Sequence, residues 1–133
     1  MIYLLDTCVV SDFIKGDRRT LERIKETSPH SIAVSSITTM EIAYGLALNP
    51  EKAKKIQPIL SAFLKAVSTL PFENKDGDCS GKIRSFLRRK GMPIRGYDVL
   101  LAGTALNRGL ILVTSNIREF ERIEELQLEN WRE

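Results

Sequence analysis

The chain has 133 residues and a mass of 15.0 kDa, and at about 100 to 200 residues per domain a single domain over residues 1–133 is expected. Apolar residues make up 43% and charged residues 28%, a globular balance that excludes a disordered or low-complexity chain. A net charge of +3 and a pI near 9.0 suit an anionic partner without identifying one, and no apolar run approaches the roughly 18 residues of a membrane helix.

Taken in chain order, Ile2–Leu5 reads as a buried strand because it is apolar on both faces. Helices are predicted over Val9–Lys15 and Arg19–Thr27, then a strand over Ile32–Val34. Helices at Thr38–Leu48 and Glu51–Ala66 precede a strand at Val67–Leu70, and helices at Asp76–Arg89 and Tyr97–Asn107 precede one at Ile111–Thr114. A short helix at Ile117–Glu121 and an edge strand at Gln127–Glu129 complete the chain. In the fifth helix Cys79, Ile83, Phe86 and Leu87 recur at helical spacing, and Gly91 with Pro93 supplies the stop. The apolar set Ile56, Ile59, Leu60, Phe63 and Leu64 is expected to be mostly core. Strands alternating with helices predict an α/β three-layer sandwich: a central parallel sheet of four to five strands with helices on both faces.

The polar inventory narrows the chemistry. Two cysteines, Cys8 and Cys79, make no disulfide framework and lack the C-x-x-C spacing of a zinc site. Met1 leads straight into Ile2–Leu5 without a basic or cleavable leader pattern, so a cytoplasmic protein with reduced thiols is expected. The one histidine, His30, stands in a turn between Pro29 and Ser31, which argues against Ser-His-Asp, Cys-His and multi-histidine metal chemistry. An enzyme built from these residues would work with carboxylates and a hard metal.

Four positions carry that expectation. Asp6 follows the first strand and Asn116 the fourth, whereas Glu41 and Asp98 each lie near the start of a helix. Each has an ordinary reading as well. Asp6 or Thr7 can cap the helix that follows, Thr38 and Glu41 have the spacing of a capping box, Asp98 suits a helix dipole, and Asn116 can cap a helix with Glu119 a turn on. As a set they fall at the carboxyl edge of a parallel sheet, where ligands bind in such folds. Three carboxylates and a carboxamide gathered there would repel one another without a cation among them, and Mg²⁺ or Mn²⁺ suits oxygen donors. Such ions support phosphoester hydrolysis without histidine.

Four segments in order make the chain resemble a PIN domain of the VapC-type toxin ribonucleases of toxin-antitoxin pairs: Leu5–Ser11, Ser36–Gly45, Ile94–Ala102 and Leu112–Phe120. The resemblance runs nearly end to end. It implies a metal-dependent endoribonuclease that hydrolyses RNA phosphodiester bonds with a metal-bound water, and a cognate antitoxin that occludes the site. By the family pattern Asp6, Glu41 and Asp98 match the acids that hold Mg²⁺ or Mn²⁺. Asn116 matches a fourth position that is commonly aspartate, so one negative charge is missing there. Thr7 and Thr114 match hydroxyl positions beside the metal, Ser115 is a further candidate of that kind, and Glu119 can contribute through water. The resemblance also implies a homodimer formed through helices and an RNA substrate, with tRNA among the candidates.

Arg95 and Arg118, with Arg108, lie near the acidic edge in sequence and are candidates to hold RNA phosphates. Arg88–Lys90 is read instead as a helix end complementing its dipole. Tyr44 and Tyr97 have the chemistry to stack on a base, but aromatics near helix starts more commonly pack, and packing is the expectation here. Two other readings use the same residues: a PIN-like domain that binds RNA or a protein partner without cutting, and a metal-dependent nuclease acting on other phosphoesters.

Overall fold

Tyr3–Leu5 forms β1, the middle strand of a five-stranded sheet in the computed structural model, which describes residues 1–133. There follow α1 (Thr7–Lys15), α2 (Arg18–Glu26), a 3-10 turn at Pro29–Ser31, β2 (Ile32–Ser35), α3 (Ser36–Leu48), α4 (Pro50–Ala66) and β3 (Ser68–Leu70). The second half adds α5 (Asn74–Arg89), α6 (Gly96–Arg108), β4 (Ile111–Val113), α7 (Ile117–Phe120) and β5 (Leu128–Glu129). The strands lie in the order β3-β2-β1-β4-β5, and every neighbouring pair is parallel. The predicted strands and helices are all present. Their boundaries differ by a residue or two, chiefly because α1 and α3 start earlier, where Asp6 and Ser35 cap them.

Parallel strands require crossovers, and helices supply them on both faces. Side chains alternate across the sheet accordingly. Leu4, Ala33 and Leu112 join Val99, Leu101 and Ala105 of α6 and Ile83 and Leu87 of α5 in one core. Leu5, Val34 and Val113 join Val9, Val10, Ile42, Leu60 and Phe63 of α1, α3 and α4 in the other. The two cores tolerate no slip, since moving a strand by one residue would exchange its faces. α5 and α6 press together at a glycine: a Cβ on Gly103 would overlap Ser80 Oγ and lie 2.8 Å from Ser80 Cα.

Some residues placed in the core by spacing alone are outside it. Ile59 is exposed within the α4 set that is otherwise mostly core, and Phe86 is exposed on α5, whose main packing partner is α6 rather than the sheet. The converse holds at the carboxyl end. Trp131 is fully buried in the α1/α3/α4 core, edge-on to Tyr3 with ring centroids 5.2 Å apart. Arg132 fastens this segment to α1 through two 2.7 Å bonds to Asp12.

The topology itself points to a site. β1 pairs with β2 on one side and with β4 on the other, so the connections leaving β1 and entering β4 run over opposite faces. A crevice opens at such a switch point, outside the carboxyl ends of the strands. Asp6 and Thr114 are the first residues beyond β1 and β4.

Candidate active site

Leu5 and Val113 are register partners, which brings the next residue of each strand side by side. Asp6 N–H donates to the Val113 carbonyl at 2.9 Å, and Thr114 Oγ1 donates to Asp6 Oδ2 at 2.7 Å. The other carboxylate oxygen, Oδ1, accepts from Thr7 N–H at 2.7 Å. Asp6 therefore caps α1, as its local sequence predicts, and does so at the carboxyl edge of the sheet, between the ends of β1 and β4. Cys8 Sγ donates to Asp6 Oδ2 at 3.2 Å and lies 3.4 Å from Ser115 Oγ. Burial, then the Asp6 charge, pushes the Cys8 thiol up, so it stays protonated as a donor.

Thr7 carries the line onward. Its Oγ1 donates to Glu41 Oε1 at 3.0 Å and stands 3.0 Å from Thr38 Oγ1. The capping-box reading of Thr38 and Glu41 fails, because α3 begins at Ser36 and Ser35 Oγ accepts the Ile37 N–H at 3.0 Å. Thr38 and Glu41 are thereby freed to turn to Thr7. Glu41 Oε2 accepts from Arg95 Nη2 at 2.6 Å. On the far side of Asp6, Thr114 Oγ1 accepts the Asn116 N–H at 3.0 Å, and Asn116 Nδ2 donates to Glu119 Oε2 at 2.9 Å. A continuous hydrogen-bonded line thus runs Arg95, Glu41, Thr7, Asp6, Thr114, Asn116, Glu119 across the carboxyl edge of the sheet.

Asp98, in the first turn of α6, is buried beside this line. Burial pushes its carboxyl up to about 6, and the charges of Asp6, Glu119 and Glu41 push the same way against the pull of Arg95. The crevice therefore has a negative field that a proton or another cation relieves. No three Asp, Glu, His or Cys side chains close into a ready-made metal cage; Glu41 is engaged by Arg95, and Asp6 by Thr114, Cys8 and the Thr7 N–H. The donors are all oxygen, however, and their crowding costs energy without a counter-charge, so a hard divalent cation fits this set.

Two predicted cations fall outside the line. Arg118 is exposed on α7. Arg108, at the far end of α6 from Asp98, is bound to Asp76 at 2.8 Å and to the Pro71 carbonyl at 2.8 Å, so it is a structural residue rather than a phosphate ligand. Cys8 and Thr38 also join the hydrogen bonds around Asp6 and Thr7, and the one sign of this in the sequence is their closeness to Asp6 and Glu41 along the chain.

A parallel sheet of this order, flanked by helices and with acids at its switch point, defines an α/β sandwich with a candidate ligand site at its carboxyl edge. The PIN domain model matches residues 3–126, and the chain belongs to that family. Its relatives include ribonuclease VapC2 of Haemophilus influenzae, 37% identical over 131 residues and 97% of each chain, and the tRNA(fMet)-specific endonuclease VapC of Salmonella typhimurium, 34% identical over 97% of each. Among solved structures, VapBC2 from Rickettsia felis bound to a DNA fragment from its promoter superposes with a TM-score of 0.90 at 34% identity, covering 98% of this chain and 99% of that one.

Proposed function

We propose that the chain is the toxin of a toxin-antitoxin pair, an endoribonuclease that hydrolyses RNA phosphodiester bonds at the crevice beyond β1 and β4. The observation that carries this reading is the line from Arg95 to Glu119 with Asp98 beside it, in a chain whose full-length relatives are named as VapC ribonucleases. Asp6 and Asp98 would hold Mg²⁺ or Mn²⁺, with Glu41 and Asn116 as further ligands. When bound, the ion polarises the scissile phosphate and makes water a nucleophile near neutral pH.

The remaining work is done by the chain's own groups. Thr114 and Thr7 hold the Asp6 and Glu41 carboxylates in place through hydrogen bonds of 2.7 and 3.0 Å. Glu119 accepts from the Asn116 amide at 2.9 Å and Asn116 makes no side-chain cap bond to its own helix, so its Oδ1 would be available as a ligand. Arg95, and Arg118 at greater distance, bind phosphate oxygens flanking the cleaved bond. The replacement of a fourth carboxylate by Asn116 weakens the hold on a second cation.

A cognate antitoxin covers the site in the inactive pair, a reading supported by the solved VapBC relatives from Salmonella typhimurium and Rickettsia felis. The chain forms a homodimer and acts in the cytoplasm as one domain; no helix is long and apolar enough to cross a membrane. tRNA is the first substrate to offer, because the Salmonella relative is named for it. The test is cleavage of a pool of tRNA and structured RNA by antitoxin-free protein with Mg²⁺, Mn²⁺ or EDTA, beside Asp98→Ala. Metal-dependent cutting lost in the variant is expected. Metal-independent RNA binding without cutting by the folded protein would replace this reading with a binding-only PIN domain.

A further inference from the structure

Next to the acids lies a cavity of about 790 Å³ walled by α3, α5 and the start of α6. Its wall includes Met40, Tyr44, Arg84, Arg95, Tyr97 and Leu100. Both tyrosines leave the packing role expected of them: Tyr44 is 65% exposed and Tyr97 45%. Two large rings held in solvent beside an active crevice cost apolar hydration that packing would have avoided. Arg95 Cζ lies 5.6 Å from the Tyr97 ring centre, which fixes one face of that wall. Arg84 is exposed and takes part in none of the chain's ion pairs.

Glu41 belongs to both the cavity and the acidic line, so the cavity adjoins the crevice in which the scissile phosphate is proposed to lie. We infer that this cavity is a nucleotide subsite of the proposed ribonuclease: Tyr44 and Tyr97 receive one unpaired base of the RNA strand, while Arg84 and Arg95 hold its phosphate. The inference rests on the ribonuclease reading for its ligand. Aromatic rings take any base by its π-face, and arginine supplies the charge that the backbone demands. The occupant is single-stranded RNA rather than a second copy of the chain because the cavity joins the acidic line, and because its two arginines, Arg84 and Arg95, outnumber its one carboxylate, which leaves the wall cationic. A base inside a duplex is stacked and cannot enter, so this subsite selects loops, bulges and unpaired ends.

The experiment measures binding of a fluorescein-labelled single-stranded oligoribonucleotide, and of a blunt RNA duplex, by full-length protein in EDTA. Tyr44→Leu and Tyr97→Leu keep an apolar surface but remove the stacking face, and each is expected to weaken single-strand binding by about 5- to 150-fold, the span of one base-aromatic stack. Tyr97→Phe should restore it. Arg84→Gln should weaken binding and lower the slope of log affinity against log salt by about 0.7, one phosphate contact on a single strand. Duplex binding should not respond to the tyrosines. Unchanged single-strand affinity in all these variants would overturn the subsite. A fall in self-association of Tyr44→Leu in sedimentation, with RNA binding intact, would give the face to a second copy and also overturn it. Cleavage by the unmodified protein is scored separately. Tyrosine-dependent binding without metal-dependent cutting would leave the subsite standing and remove the nuclease, whereas cutting with indifferent tyrosines would do the reverse.

Discussion

Arg95 Nη2 donates to Glu41 Oε2 at 2.6 Å, so one of the four proposed metal ligands is engaged by the chain's own guanidinium. The Arg95 side chain is 59% exposed, and a pair so open to water contributes at most about 1 kcal/mol to folding. The same contact competes with a cation for Glu41. Arg95→Ala should leave the melting temperature nearly unchanged and raise Mn²⁺ affinity about fivefold, the equilibrium equivalent of 1 kcal/mol. It should also raise KM for RNA by removing a phosphate contact. Calorimetric Mn²⁺ titration without RNA reads the first effect, and an unchanged or weaker Mn²⁺ affinity would count against the competition.

Asp98 makes the metal-free fold sensitive to pH. Its carboxyl is pushed up to about 6 in the folded chain from 3.8, first by burial and then by Asp6. A raised carboxyl binds its proton more tightly when folded, so its contribution is fully favourable below about 4 and is lost as pH rises through 6. A shift of this size corresponds to up to about 3 kcal/mol. In EDTA, Asp98→Asn should stabilise the protein by up to that amount at pH 7.5 and by little at pH 4, while abolishing cleavage. Urea unfolding at the two pH values checks it, and equal effects at both would show that the crowding of acids is not what strains the site.

Much of this site was legible in the sequence. The strand-helix alternation defined the sheet, and Asp6, Glu41, Asp98 and Asn116 all arrive at its carboxyl edge, since position after a strand or at a helix start is a local property. What did not show was contact between distant segments. Thr38 looked like a cap because its spacing to Glu41 is right, and only the earlier start of α3 at Ser36 turns it toward Thr7. Arg108 looked close to the acids in number but lies a full helix away from them. Tyr44 and Tyr97 have ordinary packing sequences around them, and exposure depends on three helices meeting.

Asp76 should behave as structure alone. Its side chain is fully buried, and although burial pushes its carboxyl up, bonds from Arg108, the Glu73 N–H and Asn107 hold it below its ordinary value. That pair is stabilising above about 4 and is lost as pH falls through the depressed folded value. Asp76→Ala strands Arg108 and should cost about 3 to 5 kcal/mol. Metal-dependent cleavage per folded molecule should be unchanged, which single-turnover assays at low temperature can measure. A specific loss of turnover in the folded fraction would place Asp76 in the site.

Gly103 and Ser80 test the close α5–α6 contact on the helix that carries Asp98. A methyl at Gly103 collides with the Ser80 side chain and approaches its Cα at 2.8 Å, and backbone cannot yield as a flexible side-chain end can. Ser80 Oγ is also occupied, donating to the Asp76 carbonyl at 2.7 Å. Gly103→Ala should therefore cost about 1 to 3 kcal/mol, as overpacking does, even though alanine favours a helix over glycine by about 1 kcal/mol. Ser80→Gly should recover part of that loss in the double variant, because it removes the side chain but leaves the close Cα. Chemical unfolding of the two single variants and the double one gives the coupling directly. A stabilising Gly103→Ala would mean that α5 and α6 separate at this contact without cost.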